Sequence, residues 1–84
     1  MKELRWNAEK NLELQRTRNV SFEQLLNSRF VGIEKHVSRE HQRLMLFEYR
    51  RHIWVVPYVE DKDHYFLKTA FPSRKYTKKY LGGE

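Results

Sequence analysis

Apolar residues are sparse and helically spaced up to about Phe30, and beyond it β-branched and aromatic residues crowd into short alternating runs. The early part predicts two helices. Asn7 is placed to cap a segment Ala8 to Arg18, whose apolar stripe of Ala8, Leu12 and Leu14 is narrow, so most of this helix should be wet. Leu4 and Trp6 precede it, as a short strand or as a staple onto the domain. Ser21 is a good N-cap for a second helix: Gln24 stands three residues on, Phe22, Leu25 and Leu26 make the apolar face, and the end falls near Asn27 or Ser28.

The later part predicts four strands, Val31 to Val37, Arg43 to Tyr49, Ile53 to Val59 and Tyr65 to Phe71. Val31 and Ile33 should share one face, with Glu34 and His36 on the other. Leu44 to Phe47 and Ile53 to Val56 are apolar on both alternations, which marks central strands covered on both faces. The connections Ser38-Arg39-Glu40, Arg50-Arg51 and 60–63 are short enough for an antiparallel meander. Pro57 cannot donate to a ladder, so a bulge or bend is expected there.

The last stretch, Phe71 to Leu81, reads as one short helix. At roughly 100° per residue, Arg74, Lys75, Lys78 and Lys79 share one arc and Tyr76, Thr77 and Tyr80 the other. The expected architecture is therefore α+β in a single domain over 1–84: two N-terminal helices, a four-stranded antiparallel meander and a C-terminal basic helix.

Charge narrows the partners. The chain of 84 residues carries a net charge of +6, and after His64 five Lys or Arg residues face only Glu84. A polyanionic or acidic partner follows, and RNA, DNA, an acidic protein or a membrane surface would each satisfy it. There is no cysteine, which removes disulfides, thiolate metal sites and Cys nucleophiles. Met1 to Arg5 lacks the apolar core of a secretory signal, and no run approaches the roughly 20 apolar residues of a membrane span, so a cytoplasmic location is expected.

Candidate chemistry rests on histidines and cations. His36, His41, His52 and His64 supply imidazole, the side-chain type suited to proton transfer near neutrality, but no His-x-x-x-His pair or glutamate-flanked zinc motif occurs, so no metal and no cofactor is expected. Gly32, Gly82 and Gly83 form no phosphate-cradling loop, Ser21 and Ser73 read as caps, and Glu60, Asp61 and Asp63 sit in a solvated hairpin around Lys62. Lys68, on the last strand, precedes the helix that bears Arg74 and Lys78, and these three are expected to converge on one phosphate. Arg50 and Arg51 would extend the positive field, and Tyr49, Tyr58, Tyr65, Tyr76 and Tyr80 would offer rings on which bases stack.

Three blocks, Trp6 to Asn11, Val20 to Glu23, and Phe66 to Thr69 leading into Pro72 to Leu81, together resemble the BrnT family of type II toxins. The resemblance implies a RelE-like fold, a ribonuclease activity that arrests growth by cutting RNA, and a BrnA-type antitoxin protein as partner. It also implies functional positions at Arg74, Lys75 and Thr77. Asn19 stands where the family usually has glycine, and Tyr80 where an acidic residue often follows. The leading expectation is a metal-independent RNA endonuclease in which Arg74 and Lys68, supported by Lys78, stabilise phosphoryl charge and His52 or His64 moves the proton. Lys75, Thr77, Lys78, Lys79, Arg50 and Arg51 would bind RNA. A basic nucleic-acid-binding module without catalysis, or a protein that docks an acidic partner, are the alternatives.

Overall fold

The chain opens on a strand. In the computed structural model, which describes residues 2–82, β1 (Glu3–Trp6) leads into α1 (Ala8–Arg18) and α2 (Phe22–Leu26). Then follow β2 (Arg29–Lys35), β3 (Gln42–Tyr49), β4 (His52–Glu60), β5 (His64–Leu67), β6 (Phe71–Ser73) and α3 (Arg74–Leu81). The expected two N-terminal helices followed by a four-stranded antiparallel meander is therefore corrected. Six strands form one mixed sheet in the order β1-β5-β4-β3-β2, with β6 beside β4. β1 runs parallel to β5, Glu3 opposite His64, and that pairing across nearly the whole chain leaves no local trace in the sequence. Trp6 accordingly ends a strand, and its ring lies 5.5 Å from that of Phe22.

The predicted strand from Tyr65 to Phe71 is two strands. Lys68 donates its N–H to the Pro57 carbonyl at 2.8 Å, the chain then leaves the ladder, and Phe71 to Ser73 rejoin β4 opposite Val55 to Ile53. Phe71 to Ser73 are thus extended, and the last helix starts only at Arg74.

Pro57 causes no bulge, because its pairing with Leu44 of β3 runs on without a shift. A strand residue aims its N–H and C=O at the same neighbour, and the Pro57 carbonyl faces Lys68. The missing donor therefore lies where the β5–β6 ladder is already interrupted. The irregularity sits in β2, between Phe30 and Gly32. It turns Val31 onto the α3 side of the sheet, whereas Ile33, opposite Met45, remains half exposed on the other, so the two do not share a face.

Both faces of β3 and β4 are covered. Leu14, Val20, Phe22 and Leu25 of the α1–α2 segment pack on Met45, Phe47, Trp54, Val56 and Tyr58, while Tyr76 of α3 closes over Leu44, Leu46, Ile53 and Val55. In α1, Asn7 accepts from the Lys10 N–H and Asn19 ends the helix in the left-handed region, which asparagine tolerates well. Leu12 lies outside the core, 59% exposed, and Asn11 is buried instead. Both ends of its amide are engaged there: Oδ1 accepts from the Phe22 N–H and Nδ2 donates to Glu23, both at 2.8 Å, and this second bond is the main reason the Glu23 carboxyl stays below its usual range. Among the described residues no helix is long and apolar enough to cross a membrane.

Candidate functional site

β3 and β4 are joined by Arg50 and Arg51 alone, and both hold positive φ, 53° and 66°. Such a turn matches the twist of a hairpin but normally recruits Asn and Gly. Two arginines in the left-handed region are strained by roughly 1–2 kcal/mol each, a local rule broken at a hairpin tip. The turn delivers His52 as the first residue of β4, and the His52 Nδ1 lies 3.0 Å from the Arg50 carbonyl oxygen. A carbonyl only accepts, so Nδ1 carries the hydrogen and the neutral ring keeps a free lone pair on Nε2.

β6 brings a second group to the same place. Its pairing with β4 sets Pro72 opposite Trp54 and Ser73 opposite Ile53, and Arg74 follows at once as the first residue of α3. His52, Trp54, Pro72, Ser73 and Arg74 line one hollow of about 330 Å³. The Trp54 indole N–H is enclosed and, among the described residues, is the buried side-chain polar atom left without a partner.

The start of α3 is electrostatically unusual. Ser73 caps it by accepting from the Tyr76 N–H, yet the first turn holds no acid and begins with Arg74 and Lys75. Cations at the positive end of a helix are disfavoured by about 0.3–1 kcal/mol, whereas an anion bound there would be favoured by the dipole, the free amides and the side chains together. This hollow can therefore hold a phosphate between a histidine with a free ring nitrogen and a guanidinium.

The other predicted residues separate into distinct roles. Lys68 does not join Arg74: it lies opposite Pro57, five residues along β4 from His52, or about 16 Å at the rise of a strand. His64 is farther still, at the start of β5, between Glu3 at 3.5 Å and Asp61 at 3.4 Å. Asp61 accepts the backbone N–H groups of Asp63 and His64, which hold its carboxyl below the usual range. Thr77 is committed to docking, because its hydroxyl donates to the Ser73 carbonyl and accepts the Ile53 N–H at 2.8 Å. Lys79 is tied to Glu34 of β2 at 2.9 Å. Arg74, Lys75 and Lys78 remain exposed on the outer side of α3, with Lys75 stacked over Tyr76 at 5.3 Å from the ring centre. The sequence pattern alone did not single out Trp54 and Pro72 as walls of the hollow. The juxtaposition of Ser73 with Arg74-Lys75, a cap followed by cations, was the local signal available.

Glu34 clamps the end of α3, accepting from Lys79 Nζ and the Tyr80 hydroxyl. The Tyr80 bond is the largest cause that holds the Glu34 carboxyl below its ordinary value of 4.5, and Glu34 in turn raises both Lys79 and Tyr80. A carboxylate with a lowered folded pKa stabilises above its unfolded value and loses that contribution as pH falls through the folded one. The raised groups act oppositely: their contribution is complete below their ordinary range and is lost as pH rises through the raised values. Glu34→Gln should thus flatten the acid limb of a thermal-stability profile below about pH 4.5. The effect should be modest, since the Lys79 side chain is 55% exposed and solvent screens the pair. An unchanged acid limb would refute the clamp.

No protein-family model matches this chain, and neither a curated protein nor a solved structure matches it significantly.

Proposed function

We propose that the chain is a metal-independent RNA endonuclease of the toxin–antitoxin kind, working on cytoplasmic RNA. The observation that carries this reading is the shared hollow of His52 and Arg74, with the imidazole fixed so that Nε2 is free to take a proton. The resemblance to BrnT toxins points the same way and brings a BrnA-type antitoxin as the partner that would cover the hollow.

In this mechanism His52 Nε2 takes the proton of a ribose 2′-hydroxyl. The 2′-oxygen bonds to the adjacent phosphorus, the bond to the 5′-oxygen breaks, and that oxygen is protonated by solvent. The products are a 2′,3′-cyclic phosphate and a 5′-hydroxyl end. Arg74 and the first amides of α3 stabilise the charge on the phosphoryl oxygens, with Lys78 one helical turn on. Arg50 and Arg51 raise the potential beside His52 and draw the RNA in.

The test incubates purified protein with end-labelled RNA in the presence of a chelator. Fragments ending in cyclic phosphate are expected, and Arg74→Ala should slow their formation by about 10²–10³-fold. Its melting temperature should be unchanged, because the side chain is exposed. RNA that is bound but never cut would replace this reading by a nucleic-acid-binding module without catalysis.

A further inference from the structure

Lys68 belongs to a hollow of its own. Its place opposite Pro57 sets it on the α3 side of the sheet, but beyond β4, whereas α3 ends over Glu34 on the β2 side. There Lys68, Thr69 and Phe71 face His36 and Arg39 of the β2–β3 connection and Gln42 at the start of β3 across a space of about 390 Å³. A second space of about 320 Å³ shares His36, Arg39 and Gln42 and adds Lys35 and Arg43, with Glu40 as its one acid. Among the described residues, none of Lys35, Arg39, Arg43 and Lys68 has a carboxylate within ion-pair distance. Lys68 and Arg39 line the first space and Lys35, Arg39 and Arg43 the second, and unpaired cations about a concavity repel each other until an anion enters.

His36 adds a directed donor. Its Nδ1 accepts the backbone N–H groups of Ser38 and Arg39, both at 3.2 Å, so in the neutral ring Nε2 carries the hydrogen. This is the opposite tautomer to His52, suited to donating to a phosphate oxygen and not to removing a proton. Two rings flank the cations: Lys68 Nζ sits 5.4 Å from the centre of Phe66, and Phe71 is 37% exposed. Cations interleaved with accessible ring faces are the combination that holds single-stranded nucleic acid.

We propose that this hollow is a second phosphodiester subsite, in which Lys68, Arg39 and His36 hold a flanking phosphate of the same RNA strand and Phe71 stacks one of its bases. The proposal rests on the ribonuclease reading for its substrate. The two hollows lie on opposite sides of β6, since Phe71 lines this one and Pro72 the other. The RNA therefore crosses the outer edge of β6, which among the described residues pairs only with β4. The displacement of about 16 Å along β4 sets the least separation, about five nucleotides at a stacked rise of ~3.4 Å, to which the crossing of the edge adds. A trinucleotide occupies the His52–Arg74 hollow alone.

The experiment measures binding of a fluorescent RNA of about ten nucleotides, twice that span, to the full chain and to a Lys68→Ala/Arg39→Ala variant over a range of salt. Both residues are exposed, so folding should survive, and Lys68→Glu serves as an independent second variant. The expected result is about tenfold weaker binding and a salt slope reduced by roughly 0.7 for each phosphate no longer neutralised, with trinucleotide cleavage unchanged. Unchanged affinity and slope would overturn the subsite while leaving the ribonuclease reading intact. A fall in kcat on the trinucleotide would also overturn it, by placing Lys68 at the reacting phosphate. If wild type cuts no RNA but the variant binds it more weakly as described, the ribonuclease reading fails and the subsite stands.

Discussion

Replacing His52 by alanine is expected to lower the single-turnover rate of RNA cleavage by about 10²–10⁴-fold, the usual worth of a positioned general base. The fold should not change, because His52 is exposed and its side chain, among the described residues, bonds only the Arg50 carbonyl at the edge of a turn. The loss should be in catalysis and not in affinity, and added imidazole should restore part of it. His64→Ala is the matched comparison: eight residues along β4 from His52 to the partner region of β5, or about 26 Å, separate it from the hollow, so its rate should equal that of the wild type. A His52→Ala protein with full activity, or a His64→Ala protein without any, would remove the proposed proton path.

Phe22→Ala is expected to cost about 3–5 kcal/mol of stability, a large share of the roughly 5–15 kcal/mol that holds a typical domain folded. Phe22 is fully buried where the α1–α2 segment meets β4, and its ring rests against Trp6 at the end of β1. The cavity would therefore open between the α1–α2 segment and the sheet, with the backbone N–H still held by Asn11. In urea the midpoint should fall sharply with little change in slope. Leu12→Ala, at a site 59% exposed, should stay within about 0.5 kcal/mol of the wild type. Equal costs at the two positions would show that the helix is seated on another face.

That contrast marks the limit of pattern reading in this chain. Leu12 looks like core by type and Asn11 like surface, yet Asn11 is the buried one because it meets the Phe22 N–H and the Glu23 carboxylate, partners that exist only after α2 has folded back. The caps needed no such context: Asn7, Ser21 with Gln24, and Ser73 act on amides within three residues, so each was legible where it stood. The double-sided apolar runs of β3 and β4 were equally plain, since burial on two faces leaves no polar alternation.

The candidate site divides along the same line. Its residue types, a basic carboxyl-terminal segment with histidines nearby, could be named in advance, but not their grouping. Arg74 and Lys68 are six positions apart in the chain, and a single strand running into a helix would have kept them together. The detour through Thr69 and Ala70 instead re-pairs β6 near the start of β4 and leaves Lys68 at the far end, so the two cations serve different hollows.

Local chemistry alone set the helix caps, the apolar centre of the sheet, the cationic closing segment and the hairpin that carries Arg50 and Arg51. These depend on neighbours in the chain or on the alternation of one strand. The parallel pairing of β1 with β5, the bulge that parts Val31 from Ile33, the harmless position of Pro57 and the choice of His52 over His64 beside Arg74 were decided by the assembled sheet. Each depends on which strand lies alongside which, a contact between residues too far apart in the chain for any local pattern to encode.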